Sequence, residues 1–226
     1  TWTGFAVMSQ TLEIREVWSN GRRYYTTPFG KLPSVTSILK ATEPAEDKAR
    51  LAAWQEKMRE KGEDPDAISR DSAARGKNLH SMVETYLKTG VPGKGAWWAS
   101  VWAFMQGVDR TQEMLIEHSI ASPAGYAGAL DLKATHNVTE CVVDWKTSLK
   151  PKRLEWIEGY CMQTSAYTAA LNLARQKVGR PYITSAAIVV AYERRACDVF
   201  WLTRDMLMDY YSRFLKRDDA FKQLTT

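Results

Sequence analysis

Apolar positions in this chain recur at two different periods, and the places where the period changes divide it into elements. Residues 11–18 alternate apolar with polar, as along a half-buried strand. Ser19-Asn20-Gly21 then reads as a hairpin turn into a second strand over 22–27. Over 43–61 the period lengthens to that of a helix, with Leu51, Trp54 and Met58 on one face, until Gly62-Glu63-Asp64-Pro65 breaks it. A second helix over about 66–88 carries the stripe Leu79, Met82, Val83, Tyr86 and Leu87, and Thr89-Gly90-Val91-Pro92-Gly93 ends it. A third, over about 96–108, holds Trp97, Trp98, Val101, Trp102 and Met105. Strand-like runs then follow at 114–122, 125–134 and 138–147, close enough together for an antiparallel meander. A helix over about 153–178, strands at 182–192 and 196–202, and a terminal helix over about 203–223 complete the pattern. The expected fold is α/β, a central mixed β-sheet flanked by helices.

Two of the strand-like runs end in acidic residues: Gly125-Tyr126-Ala127-Gly128-Ala129-Leu130-Asp131 and Cys141-Val142-Val143-Asp144-Trp145-Lys146. Alternate residues of a strand point the same way, so Asp144 and Lys146 share a face and Trp145 takes the other. If the two runs pair as neighbours, two carboxylates and an ammonium converge on one small volume. Carboxylates held together raise each other's pKa unless a cation sits between them. A divalent ion is the simplest such cation, and hard oxygen ligands suit Mg²⁺ or Mn²⁺. A metal beside a lysine points to phosphodiester hydrolysis, with the phosphate polarised and water activated.

Gly128-x-x-Asp131, Asp144-x-Lys146 and Gln163-x-x-x-Tyr167, in this order and at these distances, resemble the PD-(D/E)XK nuclease superfamily, and most of all its RecB-type exonuclease branch. Leu32-Pro33-Ser34-Val35-Thr36-Ser37-Ile38-Leu39 is similar to that branch's N-terminal Pro-Ser-Val-Thr segment, and Arg75-Gly76-Lys77-Asn78-Leu79-His80 with Glu84 to its Gly-x-x-x-His helix. The likeness runs from Leu32 to Tyr167. It departs at Leu130, where the superfamily name expects proline, a residue that carries no ligand atom. The resemblance implies a restriction-endonuclease-like core with an N-terminal helical arch region, and the stretch 43–108 is long enough to form the arch.

The resemblance also implies roles. Asp131, Asp144 and the backbone carbonyl of Trp145 would ligate the metal, as one ion or two. Lys146 would orient the attacking water or offset charge on the phosphate. Glu117, at the end of Met114-Leu115-Ile116, is either a second or water-mediated ligand or a rim carboxylate paired with a base. A lone helical histidine is more often a hydrogen-bonded core residue, but the match to the Gly-x-x-x-His segment makes His80 a candidate ligand, and its nitrogen would shift preference toward Mn²⁺. Glu84, one turn on, would orient that imidazole or face solvent. Gln163 and Tyr167, at i and i+4 on one helix face, would line the site and contact DNA or the ligating carboxylates; the plain alternative for Tyr167 is a buried ring. Thr147, Ser148, Lys150, Lys152 and Arg153 follow the Asp144 strand directly and are candidate phosphate contacts. His118 and His136 match nothing, and the tryptophans of 97–102 read mostly as core.

Composition bounds this reading without sharpening it. The 226 residues, 45% hydrophobic and 25% charged, are most simply one nuclease domain: N-terminal strands or extension over about 1–30, a helical part over 31–110 and a catalytic core over 111–226. The net charge of +5 permits a nucleic-acid partner without demonstrating one. The opening residues 1–7 resemble no targeting segment, and no apolar run reaches the length of a membrane helix, so neither a membrane partner nor a secreted location is expected. Cys141, Cys161 and Cys197 are few and scattered, which suggests a reducing compartment, cytoplasmic or nucleoid-associated, and cannot supply the four-cysteine iron–sulfur cluster of some RecB-type relatives. The expected function is a metal-dependent exonuclease on single-stranded or frayed DNA ends, in repair, recombination or genome maintenance, with replication or recombination proteins as partners. The rivals are a sequence- or structure-specific endonuclease on the same fold and a non-catalytic DNA-binding accessory module.

Overall fold

Asn20 and Gly21 both adopt positive φ, 52° and 69°, the requirement of the tightest hairpin turn, and they join the first two strands of the chain. The computed structural model describes residues 14–225, so positions 11–13 of the expected first strand, and the opening residues 1–7, lie outside the described residues. The strands are β1 (Arg15–Ser19) and β2 (Arg22–Thr27), and β3 (Gly30–Pro33) completes a small antiparallel sheet in the order β1-β2-β3. Ser34 then caps α1 (Val35–Ala41): its hydroxyl accepts from the Ser37 amide at 3.0 Å. The Pro-Ser-Val-Thr segment is thus a strand end, a cap and a first helical turn.

Three helices follow: α2 (Ala45–Glu60), α3 (Pro65–Thr89) and α4 (Ala96–Met105). Asp64 and Pro65 start α3 as N-cap and first residue, and Gly90 at φ 79° ends it in the left-handed conformation that favours glycine. The expected apolar stripe of α3 is seated, with Leu79, Val83 and Leu87 buried. That of α2 is not: Leu51 is 48% exposed and no residue of the helix is buried. Of the stretch read as an arch, only α2 therefore stands clear of a core. The tryptophans of α4 pack inward, Trp98 and Trp102 lying edge-on to Tyr86 with ring centroids 5.3 and 5.5 Å away.

The main sheet is built from β4 (Leu115–Ser122), β5 (Tyr126–His136), β6 (Thr139–Thr147), β7 (Ala186–Ala191) and β8 (Asp198–Leu202), in that order. The meander β4-β5-β6 is antiparallel, β6 and β7 are parallel, and β8 is antiparallel to β7, so the sheet is mixed. The parallel step is made by α5 (Glu158–Lys177), and α6 (Arg204–Thr225) packs beside it. Every residue of β7 is buried, because both faces of the sheet are covered. Ile38, Tyr167, Ile188 and Phe214 belong to the core under α1, α5 and α6; Leu79, Val101, Val143 and Trp145 belong to the one under α3 and α4.

Two expected elements are shorter than their apolar runs. The helix over 153–178 is broken at Ile157 (φ −119°, ψ 24°), which separates a single 3-10 turn, Leu154–Trp156, from α5. The strand over 182–192 begins only at Ala186, because the Asn172 amide clamps the Ile183 backbone, donating to its carbonyl at 2.9 Å and accepting from its N–H at 2.8 Å. Those backbone groups are satisfied without a strand partner.

Candidate active site

β6 keeps a strict period of two. Val142 faces the α5 core and Cys141, Val143 and Trp145 face the other, so Asp144 and Lys146 share the α5 side. Asp144 is 2% exposed; its Oδ2 lies 2.6 Å from Lys146 Nζ, and its Oδ1 accepts from Gln163 Nε2 at 3.2 Å. Burial alone would lower the pKa of Lys146, but Asp144 and Asp131 outweigh it and the pKa rises. The Tyr160 ring, 5.0 Å from the ammonium, adds a cation–π contact.

β4 and β5 behave differently. Tyr126 and Leu130 pack under α5, whereas Leu132 and Ala134, in step with them along β5, pack under α3 and α4. β4 makes the same reversal between Ile116 and Ile120. The pivot is the pair Glu117 and Asp131, which face each other between the pairs Ile116↔Leu132 and His118↔Leu130. Glu117 takes φ 47° there, unusual for a non-glycine residue, and such strain is tolerated where the surroundings over-determine it. The β5–β6 ladder also stops at Leu132↔Val143, leaving the two strands splayed where Asp131 comes level with Asp144.

In the opening, Asp131 Oδ2 accepts from the Trp145 backbone N–H at 2.8 Å. Burial, then the charge of Asp144, raise its pKa, against Lys146 and His80, which lower it. His80 reaches in from α3: its Nδ1 lies 3.1 Å from Glu117 Oε1, and its Nε2 lies 3.1 Å from the Trp145 carbonyl and 3.7 Å from Asp131 Oδ2. Burial opposes protonation of His80, but the Glu117 hydrogen bond and the two carboxylate charges overcome it and bring its pKa up to about 9. Glu117, Asp131 and the Trp145 carbonyl thus turn negative charge and lone pairs toward the same imidazole, an arrangement that calls for a cation.

Those donors suit a divalent cation. His80, Glu117 and Asp131 each offer a ligand atom, all within 4.8 Å of one another, and the Trp145 carbonyl adjoins them. Neighbouring ligands around an octahedral ion with bonds of about 2.1 Å stand about 3 Å apart, close to the His80–Trp145 spacing. Asp144, expected as a ligand, lies outside this cluster, with one oxygen on Lys146 and the other on Gln163.

Elsewhere the expected residues divide. Gln163 reaches Asp144, while Tyr167 is 1% exposed and lies across Gly128. Glu84 pairs with Lys88 Nζ at 2.5 Å, and Glu117 takes the imidazole that Glu84 was expected to orient. Thr147 ends β6; Lys150 and Arg153 are exposed beyond it, and the Lys152 amide donates to Tyr192 Oη at 3.1 Å. His136 stacks on Phe104 at 4.1 Å and His118 is exposed. Cys141 and Cys161 are buried and free. Tyr160 was missed in the sequence, though its place three residues before Gln163 on the same helix face marks it. No helix among the described residues is long and apolar enough to cross a membrane.

No family model matches the chain. It is similar to three proteins named Mitochondrial genome maintenance exonuclease 1. That of Xenopus tropicalis is 28% identical over 209 residues, covering 86% of this chain and 58% of that protein. The Mus musculus protein is 28% identical over 205 residues, covering 85% and 59%, and the Homo sapiens protein 26% identical over 206 residues, covering 85% and 58%. The chain thus spans somewhat under three fifths of the length of these relatives. Among solved structures, that of SSO0001 matches 74% of this chain and 70% of its own at a TM-score of 0.35 and 16% identity, too distant to carry an argument.

Proposed function

We propose that this chain is a divalent-metal-dependent deoxyribonuclease of the PD-(D/E)XK type that removes nucleotides from the ends of single-stranded DNA. The observation that carries the reading is the cluster of His80, Glu117 and Asp131 beside the Asp144–Lys146 pair: a cation site with a fixed ammonium next to it. Similarity to proteins named as exonucleases supports DNA as the substrate class.

A divalent cation held by Asp131, His80 Nε2 and the Trp145 carbonyl would supply Lewis acidity at the scissile phosphate. Glu117 accepts from His80 Nδ1, which fixes the ring's orientation and directs Nε2 toward Asp131. The Lys146 ammonium would stabilise charge building on the phosphate oxygens, while Asp144 keeps it in place. Gln163 fixes Asp144 from α5. Lys150, Lys152 and Arg153, on the segment leaving β6, would follow the DNA backbone by charge.

Digestion of end-labelled linear and covalently closed circular single strands, with Mg²⁺ and with Mn²⁺, tests the proposal. Loss of the linear strand from its end with circles intact is the expected result. Circles cut as fast as linear strands would replace it with the endonuclease alternative, and no cutting with either ion would remove it.

A further inference from the structure

A cleft of about 570 Å³ lies between α1, the start of α2 and the first turn of α5, within the about 300–1,000 Å³ typical of small-molecule sites. It opens onto the site described above: Gln163, which holds Asp144, and Tyr160, whose ring lies under Lys146, both line it. At its outer lip stands Trp156, 60% exposed, in the 3-10 turn that precedes α5. An indole costs free energy when left in water, and here the ring is held up by its turn, the Trp156 amide donating to the Arg153 carbonyl at 3.0 Å. The Arg153 guanidinium lies 5.2 Å from the ring centroid.

The occupant has to be planar and apolar on its faces. The cleft's charge does not select a bare polyanion, since Glu43, Asp47, Glu155 and Glu158 line it alongside Lys40, Arg50 and Arg217. A nucleobase whose own phosphate lies at Lys146 meets both conditions.

We infer that Trp156 is a base-stacking residue: it holds one unpaired nucleobase in the cleft and so positions the strand for cleavage at Lys146. This rests on the nuclease reading and adds to it a position along the strand. Duplex DNA keeps its bases stacked on one another, so the contact favours single strands.

The test measures binding of a short fluorescein-labelled single strand in Ca²⁺ to the wild-type chain, Trp156→Ala and Trp156→Phe. Trp156→Ala is expected to weaken binding by about 5- to 160-fold, the range of one lost base–aromatic stack, with Trp156→Phe recovering most of it. The salt dependence should change little, because the indole itself contacts no phosphate. An abasic nucleotide scanned along the strand should weaken wild-type binding at one position, and there Trp156→Ala should cost nothing further. Wild-type binding that Trp156→Ala leaves unchanged, or losses that add at every abasic position, would overturn the inference alone. No binding by the wild-type chain would overturn the nuclease reading with it.

Discussion

The ring of Tyr167 fills the space that a side chain on Gly128 would need: a Cβ there would come within 2.5 Å of Tyr167 Cε1 and 2.9 Å of its hydroxyl. Two sequence signals read separately, the glycine three before Asp131 and the tyrosine four after Gln163, are the two halves of one contact. It seats α5 on β5 closely enough for Gln163 to reach Asp144.

Gly128→Ala should therefore destabilise the protein by about 1–3 kcal/mol, as overpacking does. For a chain of this size that lowers the thermal midpoint by about 2–4 °C per kcal/mol. Adding Tyr167→Leu should recover part of the loss, since it vacates the space. A melting curve for Gly128→Ala that overlays wild type would show that the contact gives way freely.

Asp144→Asn and Lys146→Ala should each lower the cleavage rate by at least about 10²-fold, the usual cost of one group that stabilises transition-state charge. Binding to single-stranded DNA should change little, because Asp144 is buried and Lys146 nearly so. Single-turnover cleavage and fluorescence anisotropy on the same preparations separate the two effects. Near wild-type turnover in either variant would leave the proposed chemistry without support.

Chelation should abolish cleavage, and added Mn²⁺ or Mg²⁺ should restore it. His80→Ala should weaken the Mn²⁺-supported rate more than the Mg²⁺-supported one, because the ligand removed is a nitrogen. Titrating activity with each ion gives the comparison. Equal losses with both, together with a lower melting temperature, would make His80 a structural residue.

Glu140 accepts two hydrogen bonds from Arg175, at 3.0 and 2.6 Å, and pairs with Lys133 Nζ at 2.5 Å; both cations are buried. Burial alone would raise its pKa, but these partners outweigh burial and hold the carboxyl below its usual range. A depressed folded value means that the stabilisation is fully present above the unfolded pKa, about 4.3, and is lost as pH falls through the folded one. Glu140→Gln should cost about 3 kcal/mol at neutral pH by leaving buried Arg175 short of its anion and Lys133 with only the more distant Glu113, 3.7 Å away. Urea unfolding at a series of pH values should show that difference shrinking below about pH 4. A difference that persists unchanged at pH 3 would place its origin in packing rather than charge.

Binding to single strands should weaken with salt at a log–log slope of about −0.7 per phosphate contacted. Lys150→Ala combined with Lys152→Ala should flatten that slope. An unchanged slope would move the phosphate path away from the segment after β6.

The Asp144-x-Lys146 pair is legible in the sequence because β6 never changes phase, so residues two apart do share a face. Glu117 and Asp131 are harder to read. Their strands reverse phase at that pair, and a period of two would put Leu130 and Leu132 in the same core when they lie in opposite ones. The role of Glu117 as His80's partner depends on a left-handed backbone at a non-glycine residue, which no pattern announces. α2 shows the opposite failure. Its helical period is plain, but period says nothing about whether a face finds a neighbour, and Leu51 does not. The break before α5 was hidden because 153–178 carries neither proline nor a strong cap at Ile157.

Trp145 ties the chemistry to the far side of the molecule. Its amide binds Asp131 and its carbonyl faces His80, while its indole is buried edge-on to Phe104 under α4. The backbone of one residue thus contacts two candidate ligands, and its side chain is anchored in a hydrophobic core. Changes in that core, at Phe104 or Val101, would be felt as drift in cation affinity before they were felt as unfolding. Sequence variation permitted under α4 is then bounded by the geometry of the candidate site as well as by packing.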